Sequence, residues 1–132
     1  MPFPSSYSEL AVGVTLPAGG IPLYMADTCA GVVVADANNG AVLASVQSFP
    51  MVVNRLAVAN NVCVAIGQRS YHSSPGIRAI TFSLAILDIS NPSFPLLKST
   101  LDSSVEFLGI TISGNRAYAA CGSVGLKVID IS

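Results

Sequence analysis

Few side chains in this sequence could do chemistry, and their surroundings limit what that chemistry would be. The sole histidine, His72, lies in Gly67-Gln68-Arg69-Ser70-Tyr71-His72-Ser73-Ser74-Pro75-Gly76. A histidine base needs a nucleophile and an orienting acid around it. Ser73 and Ser74 lead into Pro75-Gly76 and read as turn residues, and no acid stands close in sequence. The cysteines are Cys29, Cys63 and Cys121. An odd number cannot complete an intrachain disulfide framework. No two are separated by two residues, the spacing common in zinc sites, so they read as small, semi-buried thiols. Asp36, Asp88 and Asp130 recur at one place in a repeated pattern and could form a carboxylate ring for a cation. Asp88 precedes Ile89-Ser90-Asn91-Pro92 and Asp36 precedes Ala37-Asn38-Asn39-Gly40. A side-chain oxygen capping a turn accounts for both places. The Asp36 stretch starts like a calcium loop but lacks the distal Glu. Gly19-Gly20 stands alone, without the spacing of a phosphate cradle. The expectation is no enzyme: no catalytic residue, no metal ligand and no cofactor.

Composition narrows the class further. Of 132 residues, 52% are hydrophobic and 10% are charged, against roughly 25% charged in an ordinary domain. Six basic and seven acidic residues leave a net charge of -1. That balance excludes the clustered basic footprint of a nucleic-acid binder and the composition of an acidic disordered tail. Aromatic residues are 7% and scattered, so no stacking platform for single strands is visible. No apolar run approaches the ~20 residues of a membrane span. Met1-Pro2-Phe3-Pro4-Ser5-Ser6 has neither the basic region nor the apolar core of a signal peptide. Asn91 is followed by Pro92, so no Asn-x-Ser/Thr acceptor exists. The length suits one domain over 1–132.

The elements that carry these residues are strands. Val, Ile, Thr, Phe and Tyr cluster in short runs punctuated by Gly, Pro, Asn and Ser, and no sustained helical spacing appears. Leu84-Ala85-Ile86-Leu87-Asp88-Ile89-Ser90 repeats as Leu126-Lys127-Val128-Ile129-Asp130-Ile131-Ser132. A weaker copy is Val32-Val33-Val34-Ala35-Asp36-Ala37-Asn38. Upstream, Arg55–Cys63 aligns with Gly109–Ala117 without a gap, Asn61 over Asn115. Gly114-Asn115 and Asn60-Asn61 suit positive φ in two-residue hairpins. In the first unit, Gly13-Val14-Thr15-Leu16 reads as the opening strand. Each unit thus reads as four strands over about 44 residues, the ~40–45-residue period of a propeller blade. Continuous apolar runs fit sheets buried on both faces; a β-sandwich would alternate more. The expected fold is all-β, with β-propeller blades at about 10–50, 51–104, and 105–132 together with 1–8.

Gly125–Ser132, and Leu87–Pro95 followed by Ile112–Tyr118, resemble the signature of LVIVD-repeat proteins. The resemblance implies a β-propeller of the kind found in bacterial and archaeal surface or secreted proteins, hence an extracellular or cell-surface location. It brings no shared catalytic residues.

Propellers typically have ~4–8 blades, so three units call for a partner. The last unit reads as lacking its fourth strand, while Phe3, Ser5 and Tyr7 alternate along a segment that could supply one. The expectation is strand complementation: the 1–8 strand of one copy adds to the edge carrying Leu126, Val128, Ile129 and Ile131 of another. Such a head-to-tail contact closes a ring, six blades from two copies, or runs on as a fibre. The rival is that the sequence is a fragment of a longer propeller. Residues 67–83 are an insertion that reads as a hairpin arm, with Arg69, Tyr71, His72 and Arg78 as contact residues. Two functions follow: a non-catalytic, self-assembling structural protein, or a binding module that takes a protein or glycan through a propeller face and this arm.

Overall fold

The computed structural model describes residues 7–12, 21–27, 31–45, 51–91 and 93–132. Of Tyr7–Val12, Asp27, Ser70–Ser73 and Arg78 it describes the backbone. These residues form strands in three antiparallel sheets, plus one 3₁₀ turn at Gly122–Val124. The first sheet runs in sequence order through β1 (Tyr7–Val12), β2 (Pro22–Asp27), β3 (Gly31–Asp36) and β4 (Val42–Ser45). The second holds β5 (Val52–Ala59), β6 (Val62–Ser74), β7 (Ile77–Asp88) and β8 (Leu96–Ser103). The third holds β9 (Gly109–Ser113), β10 (Arg116–Ala120) and β11 (Leu126–Asp130).

The opening strand differs from the expectation. The first sheet begins at Tyr7, where Tyr7 partners Asp27 and Leu10 partners Met25, not at Gly13. The apolar run Leu10-Ala11-Val12 matches Met25-Tyr24-Leu23 in register, so this segment belongs with its own β2. Residues 13–20 lie outside the described residues.

Turn chemistry fixes the hairpins. Asn60 has φ 54° and Gly114 has φ 59°, each as the first turn residue between paired strands. Asn and Gly tolerate the left-handed region. Residues 67–83 fall in the distal parts of β6 and β7, with register Gly67↔Ser83 through His72↔Arg78. The turn beyond them carries Gly76 at φ 80°. β5 pairs with β6 as far as Gln68, and β8 pairs with β7 as far as Phe82. Beyond that point the two strands continue as a ribbon paired to each other.

The sheets stack face to face. Tyr24, Ala26, Val32 and Val34 of the first sheet pack against Val53, Cys63, Ala65, Ala85 and Leu87 of the second. Val64, Ile66 and Leu84, from the opposite face of the second sheet, pack against Phe107, Ala117, Ala119 and Ile131. Hence β3 reads buried at every position from Gly31 to Ala35, and Cys63–Gly67 are likewise all buried. The apolar runs are continuous because consecutive residues point into two different cores.

Gly67 marks a close approach. A Cβ there would overlap the main-chain carbonyl oxygen of Val52, where β5 crosses it beside the bulge between Val53 and Arg55. Backbone cannot move aside as a flexible side chain can. Gly67→Ala is therefore expected to lower unfolding stability by about 1–3 kcal/mol, the scale of an overpacked core, read as a lower urea midpoint. Gly76→Ala, in open space but at positive φ, serves as the comparison.

Candidate assembly interface

The repeat has a common anchor. Asp36 Oδ1 accepts the N–H of Asn38 at 2.8 Å, Asp88 Oδ1 that of Ser90 at 2.9 Å, and Asp130 Oδ1 that of Ser132 at 2.9 Å. The Ser132 hydroxyl also donates to Asp130 Oδ1, at 2.7 Å. The next N–H along from each Asp reaches back to the residue just before the second strand of its sheet. Ala37 N–H donates to Ile21 O at 2.8 Å, Ile89 N–H to Asn61 O at 2.9 Å and Ile131 N–H to Asn115 O at 2.9 Å. The recurring Asp therefore closes the turn that ends the third strand of each sheet. Backbone and hydroxyl donation from Ser90 holds the Asp88 carboxyl below the usual carboxylate value. At Asp130 the Ser132 hydroxyl leads and its N–H follows.

That anchor lets the three sheets be superposed residue by residue. Two and four places before the Asp stand Val34 and Val32, Ile86 and Leu84, and Val128 and Leu126. Their cross-strand partners are Tyr24 and Ala26, Val64 and Ile66, and Tyr118 and Ala120. We term this the forward face. In the first sheet it lies under the second, and in the second sheet it lies under the third. In the third sheet it is open: Leu126 is 65% and Val128 52% exposed, and Ala120 is exposed, with Leu108 and Val124 beside them. The rear face of the third sheet, with Ala117, Ala119 and Ile129, is the one packed on the second. The rear face of the first sheet is buried as well, with Met25 at 8%, Val33 at 0% and Ala35 at 2%.

The third sheet also ends in a free edge. β4 and β8 flank β3 and β7, whereas among the described residues nothing flanks β11 beyond β10. Because Ile131 N–H points to Asn115, the alternation of an antiparallel ladder aims the N–H and C=O of Leu126, Val128 and Asp130 outward.

The expected acceptor residues therefore divide. Leu126 and Val128 present both edge groups and exposed side chains. Ile129 packs with the core shared with the second sheet, and Ile131 is 6% exposed in that core. They hold the sheet in place and are not its edge. Of the expected donor residues, Tyr7 is committed to β1, paired with β2; Phe3 and Ser5 lie outside the described residues. Tyr118, which the sequence reading passed over, becomes visible once Asn61 is laid over Asn115, since it then falls on buried Val64.

In the arm, Arg69 Nη2 donates to Asp102 Oδ2, and Ser83 Oγ donates to Asp102 Oδ1 at 2.7 Å. Thr81 Oγ1 adds a bond to Ser103 O at 3.1 Å. Arg69 is thus a fastening between β6 and β8 where the ribbon leaves the sheet. Tyr71, His72 and Arg78 are placed by backbone only, Tyr71↔Ala79 and His72↔Arg78. Ile77 and Ile80 of the ribbon are 57% and 56% exposed.

Nucleophile chemistry is absent at Cys63. Complete burial pushes its thiol up to about 12, so it stays protonated and unreactive at neutral pH. No helix among the described residues is long and apolar enough to cross a membrane.

The family model for the LVIVD repeat matches residues 80–103 and 108–132. The chain carries LVIVD repeats. One LVIVD match covers most of β7 and all of β8, the other β9 to β11, and both contain the Asp-Ile-Ser turn. No curated protein and no solved structure matches the chain.

Two measurements check this geometry. Carboxyls depressed in the folded state stabilise it above their unfolded value and lose that contribution as pH falls through the folded one. The fold is expected to be fully stable at neutral pH and to weaken below about pH 4. Combining Asp88→Asn with Asp130→Asn keeps an acceptor in each turn. It should flatten that acid limb in urea titrations from neutral pH downward. Separately, Asp102→Ala should lower stability by about 1–3 kcal/mol, because the exposed Arg69 pair adds little but the buried Ser83 hydroxyl loses its acceptor. It should speed amide exchange in residues 69–81.

Proposed function

We propose that this chain is a non-catalytic structural protein with propeller-type blades, and that it self-associates by accepting a strand at its third blade. The observation that carries this reading is the free outer edge of β11 beside the occupied positions of β4 and β8. A strand laid antiparallel along Leu126, Val128 and Asp130 satisfies three outward N–H and C=O pairs and completes the blade. A second copy is the proposed donor. Two copies of three blades make six, within the ~4–8 of known propellers. An extracellular or cell-surface location is part of this proposal, and the resemblance of the repeats to surface and secreted proteins supports it.

A second reading rests on the ribbon. Exposed Ile77 and Ile80 beside Tyr71 and Arg78 favour a contact arm for a protein or glycan.

Proline removes one edge N–H and is tolerated on an edge strand. Val128→Pro is therefore expected to reduce the mass by light scattering to that of one chain. Val128→Ala trims the side chain, keeps the edge and should still assemble through it. Assembly surviving Val128→Pro overturns strand addition. Loss of partner capture on Ile80→Asp, with the mass unchanged, favours the arm.

A further inference from the structure

We infer that Asn39-Gly40, in the turn joining β3 to β4, is a site of spontaneous deamidation, and that isoaspartate formed there loosens the outer strand of the first sheet. The inference concerns a single chain and does not depend on self-association.

The repeat builds a second capped turn three residues after its Asp. Asn39 follows Asp36 at that interval, and Asn91 follows Asp88. Asn39 Oδ1 accepts the N–H of Ala41 at 2.8 Å, and Asn91 Oδ1 accepts that of Ser93 at 3.1 Å. The two turns differ in the residue between. Pro92 has no N–H, whereas Gly40 has one and no side chain to shield it. Asn38, Asn54, Asn60, Asn61 and Asn115 all precede residues that carry a Cβ.

The surroundings of Gly40 admit the reaction. Residues 37–40 are exposed, so water reaches the amide. A Cβ built on Gly40 would meet nothing within 4 Å, so the space beside its nitrogen is open. The Gly40 nitrogen bonds to Asn39 Cγ and gives up its proton. The bond from Cγ to the side-chain nitrogen breaks, and ammonia leaves with that proton. Charge gathers on Oδ1 as the ring closes, where the Ala41 N–H already donates. Water then opens the cyclic imide at either carbonyl, giving aspartate or isoaspartate at position 39. Nothing is oxidised or reduced.

The fold sets the consequence. Asp36 O accepts the N–H of Asn39 at 3.3 Å and of Gly40 at 2.7 Å, and Asp36 N–H donates to Ala41 O at 2.8 Å. Isoaspartate routes the main chain through Cβ and Cγ. It adds a carbon inside the loop that these bonds close, so they cannot all re-form. β4 starts directly after the turn and pairs with β3 alone. β3 stays held by β2 and by the cores on its two faces. The disturbance therefore reaches β4 and stops there.

The test ages the intact chain in warm, mildly alkaline buffer and follows peptide masses. The peptide holding Asn39 should exchange an amide for a carboxyl about tenfold faster than any other asparagine, one decade on the barrier scale. Isoaspartate in it should accept a methyl group from an isoaspartyl methyltransferase. Gly40→Ala should slow the reaction by about tenfold. Alanine is strained at φ 75°, so Asn39→Gln, which keeps Gly40, is the second variant and should stay unmodified. Pro92→Gly should turn Asn91 into a second reactive site. In the modified fraction, amide exchange should quicken at Val42–Ser45 and stay unchanged in β6. Asn39 keeping its amide, or reacting no faster than Asn38, overturns the site. Isoaspartate at position 39 with unchanged exchange in β4 overturns the loosening of the strand.

Discussion

A sheet that is apolar on both faces must be covered twice, and this requirement organises the molecule. Each middle strand sends alternate side chains into two different cores: Cys63 and Ala65 into one, Val64 and Ile66 into the other. Small residues on the rear faces, Ala65, Ala85, Ala117 and Ala119, let the next sheet come close. Larger residues on the forward faces, Tyr24, Ile66 and Leu84, fill the space between. Stacking is thus directional, and a stack of this kind always leaves two terminal faces to be dealt with. Among the described residues the two differ: Met25, Val33 and Ala35 are buried on the first, while Leu126 and Val128 are exposed on the last.

Much of this was legible in the sequence because the repeat unit ends in a residue with a single physical task. Asp36, Asp88 and Asp130 mark the same turn, and the strands before the first two read as uninterrupted apolar runs because both their sides are buried. Asn60 and Gly114 declared their hairpins through positive φ. The ribbon over residues 67–83 was visible as extra length between matching landmarks.

What escaped notice depended on pairing. Gly13–Leu16 and Tyr7–Val12 are both plausible strands by composition, and only register with Leu23–Asp27 decides between them. Ile129 and Leu126 look alike in a list of apolar residues. One odd step along β11 sends the first into the core and leaves the second in solvent. Arg69 looked like a recognition residue, but its partner Asp102 is 33 positions away, a distance no local pattern spans.

The Asp turn has a consequence for how such chains change over time. Its lock uses only atoms within a few residues of the carboxylate and one carbonyl from the preceding hairpin. No atom of an adjoining sheet takes part. A unit closed in this self-contained way can be copied, lost or lengthened, as the middle one is by its ribbon, without reworking the units on either side. Geometry at the seams is then left to shape alone, since alanine against aliphatic tolerates exchange better than any polar pairing would.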